Sequence, residues 1–242
     1  MEHLETFSWI DFIAHGLGVH IPPQLEHVLM TWVVMVLLIV PSFLLTRRLK
    51  GTPGAGQNLL EFLVEMLQDF LESMMGPKGK RYLPLIGTLT LFILFSNLLG
   101  LVPGFHSPTN NLNTTVACAL VVFFSTHIIG IKEQGLRRYL RHFTGPVWWL
   151  APIMVPVEVI GHLARPVSLS VRLFGNIFGE DAVLVILLSL VPLLIPLPMM
   201  FLAVFTSVVQ TFVFVMLSTL YIAGAQETDH SEGTISSPER KE

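Results

Sequence analysis

Six titratable side chains sit in a stretch that is otherwise apolar, from Val147 to Leu190: Glu158, His162, Arg165, Arg172, Glu180 and Asp181. Glu158, Arg165 and Arg172 are seven residues apart, so at helical periodicity each falls within about 20° of the next. His162 lies one turn from Glu158, Ser168 sits between the arginines, and Asn176 and Glu180 continue from Arg172 at four-residue steps. A charge at the centre of a bilayer costs about 3 kcal/mol or more, so such groups mark function by default. The chemistry they suit is movement of a small ion. Arg172 cannot carry a proton, because a guanidinium with a pKa above about 12 stays charged. It is a fixed cation that repels hydronium and favours the ionised form of a passing carboxylate. Glu158, His162, Glu180 and Asp181 can titrate and are the natural relay groups. Ion pairs that merely neutralise one another are the bland alternative, but a ladder reaching from one interface toward the other exceeds what packing requires.

The next apolar stretch holds Gln210, with Thr206 one turn before it and Tyr221 about 20° away on the same face. A buried glutamine must find partners. It either lines the same aqueous path opposite Arg172 or joins helices as a hydrogen-bonding side chain.

These groups need a membrane around them, and the composition supplies it. Of 242 residues, 52% are hydrophobic and only 13% are Asp, Glu, Lys or Arg. The mean hydropathy is +0.67. A net charge of −3 leaves no basic excess, which excludes nucleic acid as a partner class. The single cysteine, Cys118, lies in an apolar run and reads as inert packing. No spacing suits a metal site, and no cofactor is expected.

Spans of about 20 apolar residues mark the crossings. The sequence predicts an all-α membrane protein with a single membrane domain over 27–225. An outer N-terminal segment, 1–26, precedes it, and an inner polar tail, 226–242, follows it. Span one covers 27–45, span two 82–102 and span three 114–131; two long helices occupy 150–190 and 193–225. Between spans one and two, Glu61, Glu65, Asp69 and Glu72 take one helical face, while Leu60, Leu63, Leu67, Phe70, Leu71 and Met74 take the other. That pattern predicts an amphipathic helix over 57–75 lying in the membrane interface. Arg47, Arg48, Lys50, Lys78, Lys80, Arg81, Lys132, Arg137, Arg138 and Arg141 all fall in alternate loops, whereas Pro103–Asn113 and Val191–Pro198 carry no Lys or Arg. The positive-inside rule then sets five passes with the N-terminus outside and the C-terminus inside. Residues 155–190 would make an unbroken helix of about 54 Å, longer than the bilayer, so steep tilt is expected for this helix and the one after it.

The segment VSLSVRLFGNIFGE, Val167 to Glu180, resembles the membrane-embedded subunit a of F-type ATP synthases. FSNLLGLVPG (Phe95 to Gly104), PTNNLNTT (Pro108 to Thr115) and VVQTFVFVMLSTLYI (Val208 to Ile222) are similar to its other conserved stretches, and the likeness covers about residues 28 to 225. The resemblance implies that Arg172 is the essential arginine facing the rotating c-ring. It implies that Asn176, Glu180 and Gln210 belong to two proton half-channels, with Glu158, Arg165 and Ser168 on the inner side of the same helix. It also implies peripheral-stalk b subunits as partners, ATP synthesis coupled to H⁺ or Na⁺ flow, and a non-catalytic role for this chain. The short basic inner loops favour a multi-pass place in a bacterial inner membrane over an organelle. Some members carry an acidic residue at the position of Gly100 and a histidine at that of Ala203, and some have one more residue between the positions of Asn176 and Glu180. The outer half-channel here is therefore expected to depend on Glu180 or Asp181. Two other classes fit less well. A secondary transporter would show paired halves and broken helices, and no internal repeat is present. An intramembrane hydrolase would need an HExxH zinc site or a serine beside a histidine base, and neither is found.

Overall fold

The computed structural model describes residues 23–47, 54–102, 104–137, 139, 149, 151–190 and 196–226. The proposed N-terminal segment before Pro23, Arg48, Lys50, Arg138, Arg141, residues 191–195 and the tail beyond Gln226 lie outside the described residues. Six long helices account for most of what is described: α1 (Pro23–Thr46), α2 (Ala55–Met75), α3 (Leu83–Leu99), α4 (Leu112–Gln134), α5 (Ala151–Leu190) and α6 (Pro196–Gln226). Short 3₁₀ turns, Gly76–Tyr82 and Pro108–Asn110, precede α3 and α4. The chain is a helical membrane protein. Four helical stretches are long and apolar enough to cross a bilayer: Leu25–Thr46, Ala55–Leu99, Leu112–Gln134 and Leu197–Gln226.

Helix α1 is apolar all round. Only Met30 and Val34 are buried, while Trp32, Val36, Ile39, Phe43 and Leu44 face outward. In water that surface would drive aggregation; in lipid it needs no cover. Helix α2 follows the amphipathic pattern, with Leu67 and Leu71 buried and Glu61, Glu65 and Asp69 exposed. Its apolar side packs on α6, where the rings of Phe70 and Phe212 lie 5.7 Å apart. The helix stops at Gly76, whose φ of 68° suits a residue without Cβ.

Helix α3 is shorter than the predicted second span at both ends. The 3₁₀ turn takes up Tyr82 at the start. At the other end the amides of Leu101 and Val102 bond back to the carbonyls of Leu98 and Leu99 at 3.1 Å, tightening the last turn instead of extending the helix. Gly100 permits the reversal, because a Cβ there would lie 2.7 Å from that of Ser107. Helix α4 begins at a capped end. The Asn111 side chain accepts a 2.9 Å bond from the Asn113 amide, satisfying one of the helix's orphan donors.

The core lies where α3, α4, α5 and α6 meet: Leu89 and Ile93 pack with Cys118, Ala119, Val122, Leu169, Leu173 and Phe214. Cys118 is thus a buried packing residue. Contacts from opposite ends of the helices sort the chain's turns. At one end Arg81 pairs with Glu133 at 3.3 Å, the Gln226 amide donates to the Tyr82 hydroxyl at 2.6 Å, and Gln134 donates to the Ala225 carbonyl at 2.6 Å. At the other, His106 meets Glu26 at 3.0 Å and Asn110 reaches Asp181 at 2.7 Å. Helix α5 is continuous for 40 residues despite Pro156 and Pro166, giving about 60 Å of length. Helix α6 has 31 residues, or about 46 Å. Both exceed the roughly 30 Å hydrocarbon core.

Candidate functional site

Leu169, Leu173 and Ile177 bury one stripe of α5 against its neighbours. The polar ladder runs along the border of that stripe, and it divides into three parts.

The first part surrounds Arg165. Glu158 and His162 approach to 3.4 Å within the helix. The His162 ring stands edge-on to His127 of α4, with centroids 5.2 Å apart, and His127 bonds to the Phe123 carbonyl at 2.8 Å. The Arg165 guanidinium carbon sits 5.3 Å from the centroid of the Tyr221 ring, a cation–π arrangement. A cavity of ≈ 10 Å³ lies between them, lined in part by Thr126, His127, His162, Arg165 and Tyr221. That is room for about one water. Tyr139, just beyond α4, closes the cluster 6.1 Å from His127. Burial pushes its phenol above the usual tyrosine range, opposed by the Arg165 charge and reinforced by Glu158.

The second part is Arg172. It is exposed and, among the described residues, makes no ion pair or hydrogen bond. Ser168, one turn away, is exposed as well, while Ser170 points inward and bonds to the Val167 carbonyl at 3.0 Å. Among the described residues neither arginine makes an ion pair: Arg165 meets an aromatic face, and Arg172 has no ion pair or hydrogen bond.

The third part joins α5 to α6 and to the turn before α4. The Asn176 amide donates to the Gln210 side-chain oxygen at 2.6 Å, and Gln210 is only 4% exposed. The Thr206 hydroxyl donates to Glu180 at 2.5 Å. The Asn110 amide donates to Asp181 at 2.7 Å. Neighbouring carboxylates thus have different partners, one on α6 and one on the 3₁₀ turn. That turn is itself held by a buried network: Ser107 donates to the Ser96 carbonyl at 2.9 Å, and Thr109 donates to Asn97 at 2.7 Å.

Tyr221 and Gln210 share a face of α6, and they meet α5 at different heights. The 11 positions between them span about 16 Å of α6, so each serves a different end of the ladder. His127, Tyr139, Asn110, His106 and Glu26 join these clusters without having been singled out by spacing. Asn110 lies 71 positions from Asp181, beyond the reach of any helical period. Among the described residues, no group of three or more His, Cys, Asp or Glu is placed to hold a metal ion.

Comparison with known proteins gives this geometry its setting. Residues 28–223 match the family described as ATP synthase A chain. The chain belongs to that family. ATP synthase subunit a 1 of Syntrophotalea carbinolica is 55% identical over 206 residues, covering 85% of this chain and 88% of the relative. ATP synthase subunit a of Geobacter sulfurreducens is 53% identical over 200 residues, covering 83% and 87% respectively. Its counterpart in Syntrophobacter fumaroxidans is 47% identical over 242 residues, covering 95% and 100%. As a member of the ATP synthase A chain family, the chain is an ion-translocating membrane subunit of ATP synthase and not itself a catalyst.

Proposed function

We propose that α5 and α6 form two offset half-channels separated by Arg172, and that Arg172 faces the carboxylates of a rotating c-ring. Protons, or Na⁺, enter by one half-channel, ride the ring, and leave by the other, turning it and driving ATP synthesis. The observation that carries this is the position of Arg172: exposed and, among the described residues, without an ion pair or hydrogen bond, with a polar cluster on either side along one helix. Glu158 lies 14 residues before it, about 21 Å along the axis, and Glu180 lies eight residues after it, about 12 Å. A fixed cation between two wet regions blocks a direct leak while leaving its charge available to a partner's carboxylate. The inner half-channel is assigned Glu158, His162, Arg165, Ser168 and Tyr221. The outer is assigned Asn176, Glu180, Asp181 and Gln210.

The same reading makes α1, α3, α4, α5 and α6 the five passes and lays α2 along the interface, with one membrane domain over 27–225. It places the N-terminus outside and the C-terminus in the cytoplasm of a bacterium whose inner membrane holds the complex, with b subunits alongside. Basic residues Lys80, Arg81 and Lys132 cluster at one end of the helices, which supports that orientation.

Substitution of Arg172 tests the proposal. One charge crossing 100 mV releases about 2.3 kcal/mol, all of it dissipated if protons pass straight between the half-channels. Arg172→Ala in the assembled complex should abolish ATP-driven pumping and open a passive leak. Arg172→Lys should be severely impaired too, because an ammonium lacks the planar fork and can deprotonate when desolvated. Normal pumping by an assembled Arg172→Ala complex would remove the residue from the mechanism.

A further inference from the structure

Beyond the ladder, a second pair of titratable groups stands at the same end of the helices as Asp181. Glu26 lies in the first turn of α1, and His106 lies in the loop that returns from α3. Their side chains meet at 3.0 Å, Glu26 Oε1 to His106 Nδ1, although 80 positions separate them. Both remain open to the surroundings, at 41% exposure for His106 and 24% for Glu26. Four residues beyond His106, Asn110 donates to Asp181. The 3₁₀ turn carrying Asn110 touches α1, α3, α4 and α5 together, and the Ser107 and Thr109 network holds it in place. His106 is also within electrostatic range of the Asp181 carboxylate. The other titratable groups around the pair are His27 on α1 and Glu180 on α5; α3 and the first turn of α4 contribute none among the described residues.

We propose that His106, oriented by Glu26, is the proton-collecting residue at the outer mouth, loading Asp181 and Glu180 from the solvent. This rests on the assignment of those two carboxylates to the outer half-channel. The neutral imidazole takes a proton from hydronium or a buffer acid, and the imidazolium passes it through water to the Asp181 carboxylate. One proton enters, no electrons move, and the ring returns to its neutral form. Glu26 is a positioning residue. It holds one ring nitrogen and so sets the ring's orientation and tautomer.

The need for a collector follows from proton scarcity. With a diffusion ceiling on the order of 10¹⁰ M⁻¹ s⁻¹, a single carboxylate at about pH 8 captures hydronium only ~10² times per second. An imidazole open to solvent can exchange protons with buffer acids, which are far more abundant than hydronium. Loss of His106 should therefore matter where protons are scarce and not where they are plentiful.

The test uses the complete ATP synthase in proteoliposomes, driven by an imposed potential, with pH varied on the N-terminal side. His106→Ala and His106→Gln should lower ATP synthesis about threefold or more at pH 8.5, yet stay within about twofold of the parent at pH 6, the acid arm doubling as an assembly control. Millimolar imidazole on that side should restore much of the alkaline rate. Glu26→Gln should give the same profile, weaker. Glu180→Gln and Asp181→Asn are measured in parallel. If they fall at every pH while His106→Ala behaves as the parent throughout, the collector is wrong and the half-channel stands. If they too keep full rate, the outer half-channel fails and the collector with it. Equal loss at both pH values, unrelieved by imidazole, would make His106 a structural residue and overturn the inference.

Discussion

The two ends of the ladder are built from different chemistry. On the Glu158 side of Arg172 the polar groups sit among rings: His162 against His127, Arg165 over Tyr221, Tyr139 behind them, around a cavity of ≈ 10 Å³. On the Glu180 side the partners are amides and a hydroxyl: Asn176 with Gln210, Glu180 with Thr206, Asp181 with Asn110. The Tyr221 ring meets the Arg165 charge with its face, a contact that fixes no donor–acceptor line. Amides and hydroxyls fix each carboxylate by a directed bond. The comparison teaches that the Glu180 side holds its carboxylates by directed bonds from α6 and the 3₁₀ turn, whereas the Glu158 side keeps a cation against an aromatic face beside two edge-on imidazoles.

The sharpest way to break the comparison is to remove one carboxylate from each side. Glu180→Gln keeps the shape and the Thr206 contact but cannot titrate. It should reduce proton flux through the complex by about 100-fold, the lower end of what a positioned proton carrier supplies. Glu158→Gln, paired with a histidine that can also titrate, should cost less, about tenfold. Neither should open a leak, since Arg172 remains. Equal effects at both positions would show that the two sides are not specialised.

Side-specific labelling sharpens the same contrast by access. In a Cys118→Ser background, Glu158→Cys should react with Ag⁺ added to the cytoplasmic side and Glu180→Cys with Ag⁺ added outside. Labelling of both from one side would overturn the offset. Because Cys118 is buried in the helix core, assembly of the Cys118→Ser background is checked first by subunit recovery.

Smaller effects should follow where a single contact is lost. Tyr221→Leu keeps bulk but removes the aromatic face beneath Arg165, worth about 0.5–2 kcal/mol, so flux should fall several-fold with assembly preserved. Thr206→Val removes one hydroxyl from Glu180 while keeping the side chain's shape. A hydrogen bond to a charged group contributes about 1.5 kcal/mol or more, so the expected change is about tenfold in the rate of loading on the Glu180 side. A Thr206→Val complex as impaired as Glu180→Gln would mean that the hydroxyl, not the carboxylate, conducts.

Much of this was legible in the residues because lipid imposes a severe rule. Backbone groups must be satisfied within each span, so apolar length alone reveals helices. A charge in such a helix is costly enough to stand out, which is why Glu158, His162, Arg165, Arg172, Glu180 and Asp181 could be picked out by inspection. The seven-residue spacing put three of them on one face, and α5 is indeed a single helix that carries them so. The ends of spans were less legible. Helix α3 stops at Leu99 because of a close approach between Gly100 and Ser107 that hydropathy does not record.

What the tertiary structure alone decided is who meets whom. Helical period relates residues three, four, seven or eleven apart on one rod, and it puts Tyr221 on the same face of α6 as Gln210. Only packing against α5 shows that Tyr221 goes to Arg165 while Gln210 goes to Asn176. The contacts of Asn110 with Asp181 and of Glu26 with His106 bridge 71 and 80 positions. No local pattern encodes such distances, because they arise from the angle at which helices cross and the turn by which a loop returns. Residue types and spacing determined that this chain is a helical membrane protein with a charged ladder; the crossing of its helices determined that the ladder is two clusters with Arg172 exposed between them.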